Sequence, residues 1–152
     1  MNRVVFIDAN VPIYAAGREH RYKGPCGRVL MMVAEHPGAF VTDAEVLQEL
    51  VHRYVSSGRW SLGRKVLEDF AELMHGRVEP VHGEDVRRAG RLADDNPGVS
   101  ARDLVHLAVM QRVGVSRIVT ADTDFDRLPE VARLDPVDVD GWAAAMSAPR
   151  DR

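Results

Sequence analysis

The sequence predicts a single α/β domain over residues 1–152, a parallel β-sheet flanked by α-helices in an α/β/α arrangement. Three observations predict it. Short apolar runs alternate along the chain with amphipathic segments of helical spacing. The runs are continuously apolar rather than alternating, as expected of strands covered on both faces. And 152 residues suit one domain, able to bury about two-thirds of its unfolded surface.

The elements follow in order. Val4-Val5-Phe6-Ile7 reads as a buried strand ending at Asp8, and Asn10 is placed to cap a helical turn with Pro12 inside it. A helix is predicted over Tyr22–Glu35, stopped by Pro37-Gly38, and a second strand over Ala39–Val41. Thr42 and Glu45 have the spacing of a capping box, opening a helix to about Val55 whose stripe is Val46, Leu47, Leu50, Val51 and Tyr54. Another helix is predicted from about Ser61 to His75, then a strand over Val78–Val81 and a helix from Glu84 to about Asp94. Ser100 caps a nearly all-apolar helix that ends at Gly114. Arg117–Thr120 is the fourth strand, Leu134–Val137 the fifth, and Gly141–Met146 a final helical turn or two.

Composition excludes several classes. The 45% hydrophobic and 28% charged residues match an ordinary globular chain rather than a disordered or fibrous one. Cys26 is the one cysteine, so no internal disulfide forms; it is expected to be a buried structural thiol in a reducing compartment. No signal-like leader follows Met1, and no run approaches the ~18 apolar residues of a membrane span. A cytoplasmic protein without membrane contact is expected. The net charge of −3 argues against indiscriminate nucleic-acid binding, although acids gathered around divalent cations would still accept a phosphate.

In parallel sheets ligands bind beyond the carboxyl ends of the strands. Asp8 stands there after the first strand, and Asp122, Asp124 and Asp126 follow the fourth. Glu49 borders the apolar stripe of its helix, where an unpaired acid is costly; pairing with Arg53 one turn on is the alternative. Asp103 opens the Ser100 helix, where it either helps the helix start or faces the same site. The alternating acids do not form a calcium loop, because Arg127 and Arg133 occupy its glycine and final acid positions. Converging carboxylates repel, and a hard cation such as Mg²⁺ or Mn²⁺ removes the penalty. His106 reads as helix packing rather than a ligand, and no histidine–cysteine set has zinc spacing. Glycine-rich phosphate loops and serine or cysteine nucleophile motifs are absent. Phosphodiester cleavage is the chemistry an oxygen-ligated magnesium site performs.

The stretches Phe6-Ile-Asp8-Ala-Asn10, Val46-Leu-Gln-Glu49-Leu50, Ser100-Ala-Arg-Asp103-Leu104-Val-His-Leu-Ala108 and Ile118-Val-Thr120-Ala-Asp122-Thr-Asp124-Phe125 together resemble a PIN domain. Their order and spacing resemble the VapC-type toxins of bacterial toxin–antitoxin pairs. The resemblance implies a Mg²⁺- or Mn²⁺-dependent endoribonuclease, a homodimer, and a cognate antitoxin that blocks the groove. It assigns Asp8, Glu49, Asp103 and Asp122 as the catalytic, metal-holding acids and Asp124 as a more variable fifth ligand. Asn10 and Thr120 match supporting polar positions, and Asp126 lies outside the motif. Two other readings are open to the sequence. One is a PIN-like binding module without catalysis, disfavoured by the intact acids. The other is a phospho-receiver domain, disfavoured because both lysines, Lys23 and Lys65, come early in the chain.

Overall fold

The computed structural model describes residues 3–147. Its centre is β1 (Val5–Ile7), whose three residues are wholly buried, so both faces of the strand are covered. On one side β1 pairs in parallel with β2 (Phe40–Asp43), which pairs with β3 (Val78–Glu79). On the other side it pairs with β4 (Arg117–Val119), which pairs with β5 (Ala132–Leu134). The strand order is β3-β2-β1-β4-β5, and every pairing is parallel. Chain direction therefore reverses on neither side of β1, and the carboxyl ends of β1, β2 and β4 point the same way.

Among the described residues seven helices surround the sheet: α1 (Asn10–Ala16), α2 (Lys23–Glu35), α3 (Ala44–Ser56), α4 (Trp60–Leu73), α5 (Gly83–Asp95), α6 (Ala101–Val113) and α7 (Val139–Ser147). They pack chiefly as the pairs α1–α2, α3–α4 and α5–α6. Phe6, Ile7, Phe40, Leu50, Tyr54, Leu107, Met110, Ile118 and Phe125 fill the core between helices and sheet. Cys26 is fully buried among them, and burial pushes its thiol up to about 12, so it is inert packing. Gly114, at φ 74°, ends α6 in the left-handed conformation that glycine adopts without strain.

Element order follows the sequence expectation, and the displaced boundaries have local causes. The helix expected to open at Thr42 opens one residue later. Thr42 is held in β2 by its hydroxyl, which donates to the Ile7 carbonyl at 2.9 Å. Asp43 is the cap instead, accepting from the Val46 N–H at 2.9 Å. β3 stops before Pro80, which has no N–H for a ladder. The fifth strand lies over 132–134 rather than 134–137, because Asp135 accepts from the Val137 N–H and Pro136 begins a 3₁₀ turn over Pro136–Asp138. Asn10 does not cap α1; its side chain is engaged elsewhere.

Candidate functional site

Asp8 ends β1, and the residues around it leave its carboxylate little freedom. Oδ1 accepts from the Ala9 N–H at 2.7 Å, and Oδ2 accepts from the Thr120 hydroxyl at 2.7 Å. Thr120, directly after β4, is itself fully buried and takes hydrogen bonds from the Asn10 amide (2.8 Å) and the Asp122 N–H (3.0 Å). The Asn10 side-chain Oδ1 in turn accepts from the Ala121 N–H at 3.2 Å. Adjacent strand ends are thus laced together by side chains, and Asp8 is only 5% exposed. Burial is the largest influence on Asp8 and lifts its pKa; the His106 charge opposes this and Glu49 reinforces it.

Glu49 projects from α3 and His106 from α6 toward the same point. His106 Nε2 lies 3.8 Å from Asp8 Oδ1 and 3.8 Å from Glu49 Oε2. Asp8, Glu49 and His106 each offer one ligand atom within 4.8 Å of the others, close enough to share one cation. The opposite ring nitrogen, Nδ1, is 2.8 Å from Asp43 Oδ2. Burial opposes charge on the His106 ring, yet Asp43, Glu49 and Asp8 outweigh it and raise its pKa well above the ordinary value. Glu49 makes its ion pair with Arg102 (3.4 Å) rather than with Arg53. Burial pulls the Glu49 pKa upward, but His106 and Arg102 prevail and hold it below the usual range.

Asp103 occupies the first turn of α6, where Ser100 caps the helix by accepting from the Asp103 N–H at 3.2 Å. Burial first, and then the charges of Asp8 and Asp122, raise its carboxyl to about 7. The charges of Asp8 and Asp122 therefore both reach Asp103, although Asp103 and Asp122 stand outside the 4.8 Å group. Asp122 caps the 3₁₀ turn Thr123–Arg127 by accepting from the Asp124 N–H at 2.9 Å. Asp124 is exposed, 4.0 Å from Arg127, and is not drawn into the tight group. Asp126 turns away to pair with Arg133 at 3.0 Å.

Residues 5–131 match the PIN domain family model. The chain belongs to the PIN domain family. Among curated relatives of this PIN domain is ribonuclease VapC23 of Mycobacterium tuberculosis, 42% identical over 121 residues, 78% of this chain and 93% of the relative. Ribonuclease VapC13 of the same species is 34% identical over 134 residues, 86% and 99% of the two chains. Solved structures share the fold at lower identity. Mycobacterium tuberculosis VapC20, described as a sarcin–ricin loop cleaving toxin, superposes with a TM-score of 0.67 at 20% identity, covering 82% of this chain and 95% of that one. Rickettsia felis VapBC2, solved bound to a promoter DNA fragment, gives 0.63 at 16% identity over 87% and 98%.

His106, Glu45 and Asp43 stand beside Asp8 and Glu49 without a sequence signal that groups them: His106 reads as helix packing, Glu45 as part of a capping box, and Asp43 carries no signal of its own. Glu45 instead stands beside the cluster, its pKa raised by burial first and then by Asp43 and Glu49, with His106 and Arg102 opposing. An acid capping α3 and a histidine on a buried helix are 63 residues apart, so no local spacing joins them. The described surface also carries several grooves. A largely apolar one of about 390 Å³ is lined by Pro12, Leu30, Leu62, Val66, Phe70 and Leu73 and by none of the acids of the cluster. A polar one of about 210 Å³ is lined by Arg18, Arg53, Arg59, Tyr14, His20 and Tyr54. Arg53 follows Glu49 by one helical turn, and its charge reaches that carboxylate.

Proposed function

We propose that the chain is a Mg²⁺- or Mn²⁺-dependent endoribonuclease, the toxin of a toxin–antitoxin pair. One observation carries the reading: carboxylates from β1, α3, α6 and the end of β4 converge in a chain that aligns with VapC23 over 93% of that ribonuclease. Asp8, Glu49, Asp103 and Asp122 would hold the cation, with Asp124 at the rim. The donor set fits the ion, since clustered acids raise one another's pKa and only a cation or proton relieves them. A divalent ion bound there supplies Lewis-acid charge to a phosphodiester and lowers the pKa of an attacking water.

The chain's own residues do the rest. The Ala9 N–H and the Thr120 hydroxyl fix Asp8 in a single orientation. Arg18, Arg53 and Arg59 line a pocket one helical turn from Glu49, where they would neutralise RNA phosphates, while Tyr14 and His20, stacked at 4.9 Å, offer a flat surface to a base. A homodimer and a cognate antitoxin complete the reading, in keeping with the VapBC complexes among the structural neighbours. The deciding experiment is cleavage of a structured RNA by the purified chain. Asp8→Asn is expected to abolish cleavage with an unchanged circular dichroism spectrum. Cleavage that persists undiminished in EDTA refutes the proposal.

A further inference from the structure

His106 is fully buried, and its Nε2 has no hydrogen-bond partner among the described residues. An orphaned buried polar atom of this kind costs about 1–3 kcal/mol unless something outside the protein chain satisfies it. The atom is not idle by accident of packing. It points between Asp8 Oδ1 and Glu49 Oε2, 3.8 Å from each, too far for a hydrogen bond and suitable for three donors around one ion. Its orientation is enforced from behind. Asp43 Oδ2 accepts the Nδ1 proton at 2.8 Å, and Asp43 Oδ1 is itself fixed by the Val46 N–H at 2.9 Å. With Asp43 holding the Nδ1 proton, release of the Nε2 proton on cation binding would leave the lone pair of Nε2 facing the carboxylates. Carboxylate, imidazole and cation in line is the arrangement by which proteins set the tautomer and the basicity of a metal-bound histidine. The Phe6 ring, its centroid 5.3 Å from that of the imidazole, packs beside it.

We infer that His106 Nε2 is a direct nitrogen ligand of the active-site cation and that Asp43 is the residue positioning it. This rests on the metal-dependent reading above and adds to it a mixed nitrogen and oxygen donor set. Such a set shifts preference from Mg²⁺, which favours oxygen alone, toward first-row transition ions such as Mn²⁺. The second consequence is rigidity. Asp43 and His106 tie the start of α3 to the middle of α6, so the two helices that carry Glu49 and Asp103 are clamped at the depth of the ion.

The test uses the full chain, freed of metal and given one equivalent of Mn²⁺, and reads electron spin echo envelope modulation. Directly bound imidazole gives ¹⁴N modulation. It is expected in the wild type, is replaced by ¹⁵N couplings when the chain is grown on ring-¹⁵N histidine, and is lost in His106→Asn. The isotope experiment needs no substitution, so its outcome does not depend on a variant folding. In calorimetry Asp43→Asn is expected to weaken Mn²⁺ binding by about 10- to 100-fold, and His106→Asn by at least as much, with Mg²⁺ affinity reduced less. Mn²⁺ bound without histidine nitrogen coupling overturns the inference and leaves the nuclease reading standing. Coupling that survives in His106→Asn assigns the nitrogen to another histidine and overturns it as well. Absence of any Mn²⁺ binding overturns both.

Discussion

Clustering acids around an ion site destabilises the metal-free fold, and Asp103 allows the size of that penalty to be worked out. Its carboxyl is raised from 3.8 to about 7 by burial, Asp8 and Asp122. Between those two values the folded state holds a proton that the unfolded state has released, so stability falls as pH rises. The contribution is intact below 3.8 and fully lost above about 7. At about 1.36 kcal/mol for each pH unit over which the two states differ by a proton, the loss is about 4 kcal/mol at most. Solvent relaxation around a carboxyl that is only partly buried reduces it to about 1–2 kcal/mol. Asp103→Asn, which never ionises, should therefore be more stable than the wild type above pH 7 in EDTA. For a chain of this size that is a rise in Tm of about 2–8 °C. The assay is thermal unfolding followed by circular dichroism from pH 4 to pH 9, in chelator, for both proteins. The curves should converge at the acid end. An Asn variant no more stable than the wild type at pH 8, or a difference independent of pH, refutes the electrostatic account of this cluster.

Three further outcomes are expected. Gly63 of α4 lies against Tyr54 of α3 so closely that a Cβ would overlap the Tyr54 Cβ and come 2.5 Å from its Cγ; Gly63→Ala should destabilise by about 1–3 kcal/mol in urea titration, despite about 1 kcal/mol of helix propensity gained, and a more stable variant would show that the two helices do not approach so closely. Asp85 is 3% exposed, accepts from the Arg112 Nε at 2.9 Å and the His82 N–H at 2.8 Å, and has its pKa held down by these partners in spite of burial. Its stabilisation is present at neutral pH and disappears as acid protonates the folded carboxylate, so Asp85→Asn should cost about 1–3 kcal/mol at pH 7 and progressively less on acidification; a penalty that does not shrink would argue against the ion pair. Arg53→Ala and Arg59→Ala should each weaken RNA binding and flatten its dependence on salt by about one phosphate contact, measured by fluorescence anisotropy; unchanged salt slopes would place the RNA elsewhere.

The sheet was legible because its strands are short, continuously apolar and buried, and because the helices between them carry clear stripes. Boundaries slipped where a side chain competed with the backbone pattern, as at Thr42, whose hydroxyl bonds to Ile7 across the sheet, and at Asp135-Pro136, which turns the chain out of β5. Asp8 and Asp122 were legible from position alone, since each follows a buried strand at its carboxyl end. Glu49 was ambiguous, because Arg53 at i+4 offers a surface partner; the fold gives it Arg102 from another helix instead. Asp103 was ambiguous because a cap and a site residue need the same position. It sits in the first turn after Ser100 and feels the field of Asp8.

His106 and Asp43 were not legible, and the reason is physical rather than statistical. A histidine inside a helix that is apolar on most sides has two fates, a satisfied core residue or a ligand, and only its second nitrogen separates them. Here one nitrogen is satisfied by Asp43, the cap of α3 that the sequence pattern places at Thr42 instead, and the other faces Asp8 and Glu49 without a hydrogen-bond partner among the described residues. The cap and the buried histidine are thus one device. The same carboxylate that starts α3 also holds the imidazole of α6, so the local signal that forms the helix and the long-range contact that shapes the site share an atom group. Two substitutions at Asp43 separate the roles: Asp43→Asn keeps an oxygen for the Val46 N–H and removes the charge opposite the imidazole, so its larger effect is expected in the affinity for the ion, whereas Asp43→Ala removes the cap as well and is expected to lower stability further with or without metal.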